Sequence, residues 1–178
     1  PNLSIIDPDF LTSIPKDIVI STGLDAINQA FDSIFNKAAT DQTIELALKA
    51  LNNGINTLPK ILNNKFDEND RFLNALTSLC AGICIANTKT SICHSLSYPL
   101  TSSYGIPHGL ACAFTMNAVL KIIYDDNSHK GIKIKQNIES RWLENSHYNF
   151  RESIDSFLNK MTIKDRITKY INSFDYLI

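Results

Sequence analysis

Apolar residues in this chain recur every three or four positions far more consistently than every second one. Between 40 and 63 the series Ile44, Ala47, Leu48, Leu51, Ile55, Leu58 marks one stripe of a helix and predicts a core-facing α-helix. Thr40 or Asp41 supplies its cap, Asn52-Asn53-Gly54 predicts a weak step, and Pro59 a continuation to Asn63. From Asp67 to Ala86 the chain is acidic at first and then apolar on nearly every face, through Leu76, Leu79, Cys80, Ile83 and Ile85. That pattern predicts a central, buried helix, with Gly82 and Ala75, Ala81 and Ala86 leaving room for a close neighbour. His108 to about Tyr124 has the same character and ends at Asp125-Asp126-Asn127-Ser128.

The flanks are less regular. Leu3-Ser4-Ile5-Ile6 is β-like and Asp7-Pro8 signals a turn, so residues 1–14 are expected to be an entering strand or linker. Pro15 opens a helical stretch from Lys16 to Ser21, and Thr22-Gly23-Leu24-Asp25 predicts a fresh start with Thr22 as N-cap and Asp25 at the third position. His94 falls at the end of a shorter stretch, Thr90–Ser97. Lys130–Ser146 is polar around Ile132, Ile134, Ile138, Trp142 and Leu143; Phe150–Met161 is amphipathic, and Thr162-x-x-Asp165 begins a last helix to the terminus. Every long periodic segment has the helical period. Residues 15–178 are therefore expected to form an all-α domain, a helical bundle of about seven helices.

Composition narrows the function. With 178 residues and 44% hydrophobic content the chain can bury a sizeable core. Seventeen basic against eighteen acidic residues leave a net charge of -1 and no basic stripe, which argues against nucleic acid. Runs such as Leu79–Ala86 are far too short to span a bilayer, so no membrane partner is expected. The N-terminus has no basic, signal-like start and no initiator Met, and reads as a piece of something longer. Cys80, Cys84, Cys93 and Cys112 contain no Cys-x-x-Cys pair; they are expected to be reduced core residues of a cytoplasmic protein. Zinc held by them is the lesser alternative.

The candidate chemistry lies in His94, in His108 directly after Pro107, and in Asp25 and Gln29, which stand four apart on one helix face. A Pro99–Pro107 loop would fold the two imidazoles toward one point. Carboxylate and imidazole arriving from separate elements suit a first-row divalent metal. Protons should displace it below the ordinary histidine value of about 6.5. Each residue also has a plain reading: Asp25 as a capping acid, His108 as packing at a helix start, Gln29 as an ordinary polar residue. Without further context a chance pair of histidines is the commoner case. His129 and His147 are expected to be solvated, and Cys93 to be a buried structural thiol.

The further context is order. Asp7-Pro8-Asp9-Phe10, Ser21-Thr22-Gly23-Leu24-Asp25-Ala26, Ser78-Leu79-Cys80-Ala81-Gly82 and His94 through Gly109 follow one another with compatible gaps. Together they resemble the C-terminal helical domain of the iron-containing (group III) alcohol dehydrogenases, which shares its fold with dehydroquinate synthase-like proteins. The resemblance covers most of residues 5–120 and fades beyond. It implies a divalent metal, Fe2+ or Zn2+, held by Asp25, His94 and His108. It also implies NAD(P), held by an N-terminal α/β domain with a glycine-rich turn. No Gly-x-Gly-x-x-Gly occurs here, so the chain looks like the metal domain without its dinucleotide-binding partner.

Two positions depart from the family pattern. The fourth ligand is usually a histidine four residues after the aspartate; here it is Gln29. A second histidine usually follows His94 by four, near substrate and nicotinamide; here it is Tyr98, expected to position substrate or relay a proton. The function implied is the substrate-side domain of an alcohol dehydrogenase or aldehyde reductase, an oxidoreductase acting on a small alcohol or aldehyde, with a homo-oligomer left open. The alternatives are a degenerate, non-catalytic helical interaction domain and a zinc enzyme of the dehydroquinate synthase-like group.

Overall fold

A computed structural model describes residues 3, 5–143 and 148–171. Among them lie eight α-helices, a short 3₁₀ helix Pro8–Ser13 and no strand. The helices are α1 (Lys16–Ile34), α2 (Asp41–Leu62), α3 (Glu68–Thr88), α4 (Ile92–Tyr104), α5 (His108–Asp125), α6 (His129–Leu143), α7 (Phe150–Lys160) and α8 (Ile163–Ile167). α1, α2 and α3 pack on one another, α5 lies against α1 with α4 beside it, and α6 to α8 close the side formed by α2 and α5. One apolar core joins them, from Leu24, Ile27 and Phe31 of α1 to Met116 and Leu120 of α5 and Phe150 and Phe157 of α7. No helix among the described residues is long and apolar enough to cross a membrane.

The all-α expectation holds, with one helix more than counted. The predicted entering strand does not form among the described residues. Ile5 is exposed, and Asp7 caps the 3₁₀ helix by accepting from the Asp9 N–H at 3.0 Å. With proline opening that turn, the local chemistry favours a helical start over an extended one.

Nor does the chain break at Thr22. Its hydroxyl donates back to the Ile18 carbonyl at 2.9 Å, inside a continuous α1, so Thr22 caps nothing and Asp25 is not a capping acid. Gly23 is a contact point. A Cβ there would stand 2.6 Å from Leu58 Cδ1 of α2, and one on Gly54 would stand 2.6 Å from Ile27 Cγ1 of α1. The two glycines let α1 and α2 approach closely, and burial of the stripe around them outweighs their low helix propensity. α2 likewise runs on through Asn52-Asn53-Gly54 and Pro59; its start is a reciprocal box in which Thr40 and Thr43 hydroxyls each accept the other's N–H.

α3 is not buried all round. Its inner face carries Cys80, Ala81 and Cys84, but Leu79 and Ile83 are 39% and 45% exposed and nothing stands within 4 Å of a Cβ built on Gly82. It is an outer helix of its layer. α6 and α7 are joined by Trp142, whose indole N–H donates to Ser153 Oγ at 3.1 Å and whose ring meets the Phe150 ring edge-on. The last predicted helix is shortened. Thr162 adopts a left-handed conformation (φ 50°) without capping, and α8 has five residues. Residues 144–147 and 172–178, which include His147, lie outside the described residues; His129, at the start of α6, is exposed.

The largest departure concerns α4. A loop was expected from Pro99 to Pro107, yet the helix continues through Pro99 to Tyr104 and stops at Gly105, whose φ of 66° is left-handed. Pro99 and Ser95 both lie on the exposed side, where a carbonyl that loses its helical donor is not sealed from water. His94 consequently stands in the first turn of α4, not at the end of a helix, and only Gly105–Pro107 separate α4 from α5.

Candidate metal centre

The site assembles from three helices. α1 presents Asp25, Gln29 and Asp32 at i, i+4 and i+7, one face of the helix. α4 brings His94 in its first turn, and α5 begins with His108, Pro107 being its N-cap. The crossing of α5 over α1 is fixed by Gly109: a Cβ there would fall 1.9 Å from the Ser21 carbonyl oxygen and 2.8 Å from the Asp25 nitrogen. Only glycine permits that approach, and it sets His108 beside Asp25.

Asp32 anchors α4. Its carboxylate, only 2% exposed, accepts the N–H groups of Ser91 (2.8 Å), Cys93 (3.3 Å) and His94 (3.4 Å), donors that a helix start leaves without internal partners. The same carboxylate lies 2.8 Å from His94 Nδ1. A carboxylate can only accept, so Nδ1 carries a proton and Nε2 points the other way, to Asp25 Oδ1 at 3.2 Å. His108 is set in the same sense. The Ser97 hydroxyl donates to the His94 carbonyl at 2.7 Å and so accepts from His108 Nδ1 at 3.2 Å. That leaves His108 Nε2 facing Asp25 Oδ1 at 3.6 Å.

Charge follows from this packing. Burial opposes the charged form of His94, but hydrogen bonds to Asp25 and Asp32 outweigh it and push the imidazole up to about 9. Burial also works against the Asp32 carboxylate, yet the His94 and Ser91 hydrogen bonds hold it below the usual range. Burial pushes the Cys112 thiol up to about 12.

Of the residues singled out in the sequence, Asp25, His94 and His108 converge. Gln29 lies next to them, its amide N–H donating to Asp25 Oδ2 at 2.9 Å, so its contact with the site here is a donor. Tyr98 stands at the rim, 57% exposed, its ring stacked on His108 with centroids 5.9 Å apart. Two participants escaped the sequence reading. Asp32 could have been found seven residues after Asp25 on the same face. Cys112, expected to be a core residue, is buried with a free thiol, but its Sγ lies 3.7 Å from His108 Nε2. Donor atoms of Asp25, His94, His108 and Cys112 all lie within 4.8 Å of one another.

Residues 19–172 match the C-terminal part of the Fe-containing alcohol dehydrogenase family. The chain belongs to that family. An aldehyde-alcohol dehydrogenase of Clostridium acetobutylicum is 31% identical over 131 residues, 73% of this chain and 15% of that protein. An NAD-dependent methanol dehydrogenase of Bacillus methanolicus is 29% identical over 126 residues, 66% of this chain and 33% of that protein. In fold, a solved iron-containing alcohol dehydrogenase from Thermococcus thioreducens aligns with 97% of this chain and 44% of its own at a TM-score of 0.79, with 20% identity. The chain thus spans between 15% and 33% of the length of these two curated relatives.

The family implies a divalent metal, and the donor set fits one. Oxygen and nitrogen ligands at about 2.0–2.2 Å from one ion lie about 3.0–3.5 Å apart at octahedral to tetrahedral angles. The separations of 3.2 and 3.6 Å from Asp25 Oδ1 to the two Nε2 atoms are of that size. Both imidazoles also have their other nitrogen occupied by an acceptor, as metal-binding histidines nearly always do.

Proposed function

We propose that this chain is the metal-binding, substrate-side domain of an NAD(P)-dependent alcohol dehydrogenase or aldehyde reductase, with Asp25, His94 and His108 as the ligands of a divalent ion. The observation that carries the reading is the convergence of three donors from three helices, each preset by a second contact. Asp32 fixes the His94 ring, Ser97 fixes the His108 ring, and Gln29 holds Asp25 Oδ2 so that Oδ1 faces the imidazoles. When bound, the metal would supply Lewis-acid polarisation of an alcohol or carbonyl oxygen, the substrate chemistry of the relatives' names.

The chain's own groups shape the substrate side of the site. Tyr98 packs flat on His108 at the rim, so its ring limits the motion of that imidazole and offers an apolar wall and a phenol to a small substrate. On this reading nicotinamide is held outside these residues, since pyrophosphate binding commonly uses a glycine-rich turn at a helix N-terminus and no Gly-x-Gly-x-x-Gly occurs in this sequence. The test is metal analysis of the purified chain after loading with Zn2+ or Fe2+ and gel filtration. One equivalent should remain on the parent chain and much less on Asp25→Ala. Equal retention by both would refute the reading.

A further inference from the structure

Resting on that reading of the site, we propose that Cys112 is a fourth ligand of the metal, contributed as a thiolate from α5. Three observations converge on it. Cys112 is four residues after His108 on one helix, the spacing that places two donors on the same face one turn apart. Its Sγ lies 3.7 Å from His108 Nε2. A thiolate at about 2.3 Å and an imidazole at about 2.0–2.1 Å from one ion stand about 3.6 Å apart at a tetrahedral angle. The sulfur also lies within 4.8 Å of the donor atoms of Asp25 and His94, so the donors of all four groups form one cluster.

Gln29 is the weaker competitor. Its amide N–H is directed at Asp25, and an amide oxygen is a weak ligand for a late transition metal where a thiolate is a strong one. On coordination the thiol gives its proton to solvent and the sulfur lone pair fills the coordination position, so no oxidant or reductant is needed. The resulting set of one carboxylate, two imidazoles and one thiolate favours zinc and other borderline-soft ions over magnesium or manganese.

The experiment uses the full chain titrated with Co2+ under reducing, oxygen-free conditions, followed by X-ray absorption of the Zn2+-loaded chain. Thiolate ligation gives an intense sulfur-to-cobalt charge-transfer band in the near ultraviolet beside the visible ligand-field bands. The band should be present in the parent, retained in Cys93→Ala and lost in Cys112→Ser, with zinc affinity of Cys112→Ser down by at least about tenfold, the loss typical of even an outer-shell partner. The zinc spectrum of the parent, which needs no variant to fold, should contain one sulfur at about 2.3 Å. Ligand-field bands without charge transfer, and a zinc shell of nitrogen and oxygen alone, would overturn the role of Cys112 while leaving the Asp25, His94, His108 site standing. Failure to bind either ion would overturn both.

Discussion

Asp32 does two things with one carboxylate, and this makes it the most informative single residue. It satisfies the open N–H groups of α4 and holds the tautomer and direction of His94. Asp32→Asn keeps the shape but lets the amide donate where an acceptor is required. Metal affinity is expected to fall roughly 10- to 100-fold, as for other partners of ligating histidines, measured by competition with a chelator. The metal-free chain should also have a distinctive pH profile. His94 sits at about 9 in the fold against about 6.5 in an unfolded chain. Its contribution is therefore fully present below about 6.5 and is lost as pH rises toward 9, a change of at most about 3 kcal/mol. Urea unfolding without metal should show a lower midpoint at pH 9.5 than at pH 6, and lose that trend in His94→Gln. Metal binding runs the other way. It displaces the His94 proton, so affinity should keep rising above pH 6.5 up to about 9, later than an ordinary histidine would give.

At the scale of helices, period-3.6 patterning identified nearly every element, because each buries one continuous stripe. What patterning misjudged were the punctuation residues. Gly23, Gly54 and Pro99 read as breaks by local preference, yet all three lie inside helices. The two glycines are contacts between α1 and α2 that no single segment reveals. The helical spacing puts Asp32 on the face of Asp25, but its role was not legible, because its partners begin 59 residues later. That Asp25, His94 and His108 come together was, by contrast, expected from the order of the blocks around them, and their donor atoms do converge. Gly109 tests the packing directly. Gly109→Ala drives a methyl into the α1 backbone and is expected to cost about 3 kcal/mol or more and to separate His108 from Asp25. Gly82→Ala, on the open face of α3, should instead stabilise by about 0.5–1 kcal/mol. Denaturant titration of both variants checks the contrast.

At the scale of the whole molecule, the fold is a frame that brings three helices to one point: α1 supplies a face of carboxylates, and α4 and α5 meet it through a three-residue connection. The chain belongs to the C-terminal part of the Fe-containing alcohol dehydrogenases. The most direct test is a crystal structure of the Zn2+-soaked chain with anomalous data at the zinc edge. One peak is expected within about 2.0–2.2 Å of Asp25 Oδ1, His94 Nε2 and His108 Nε2. No peak among those three atoms, with zinc instead at His129 or elsewhere on the surface, would contradict it.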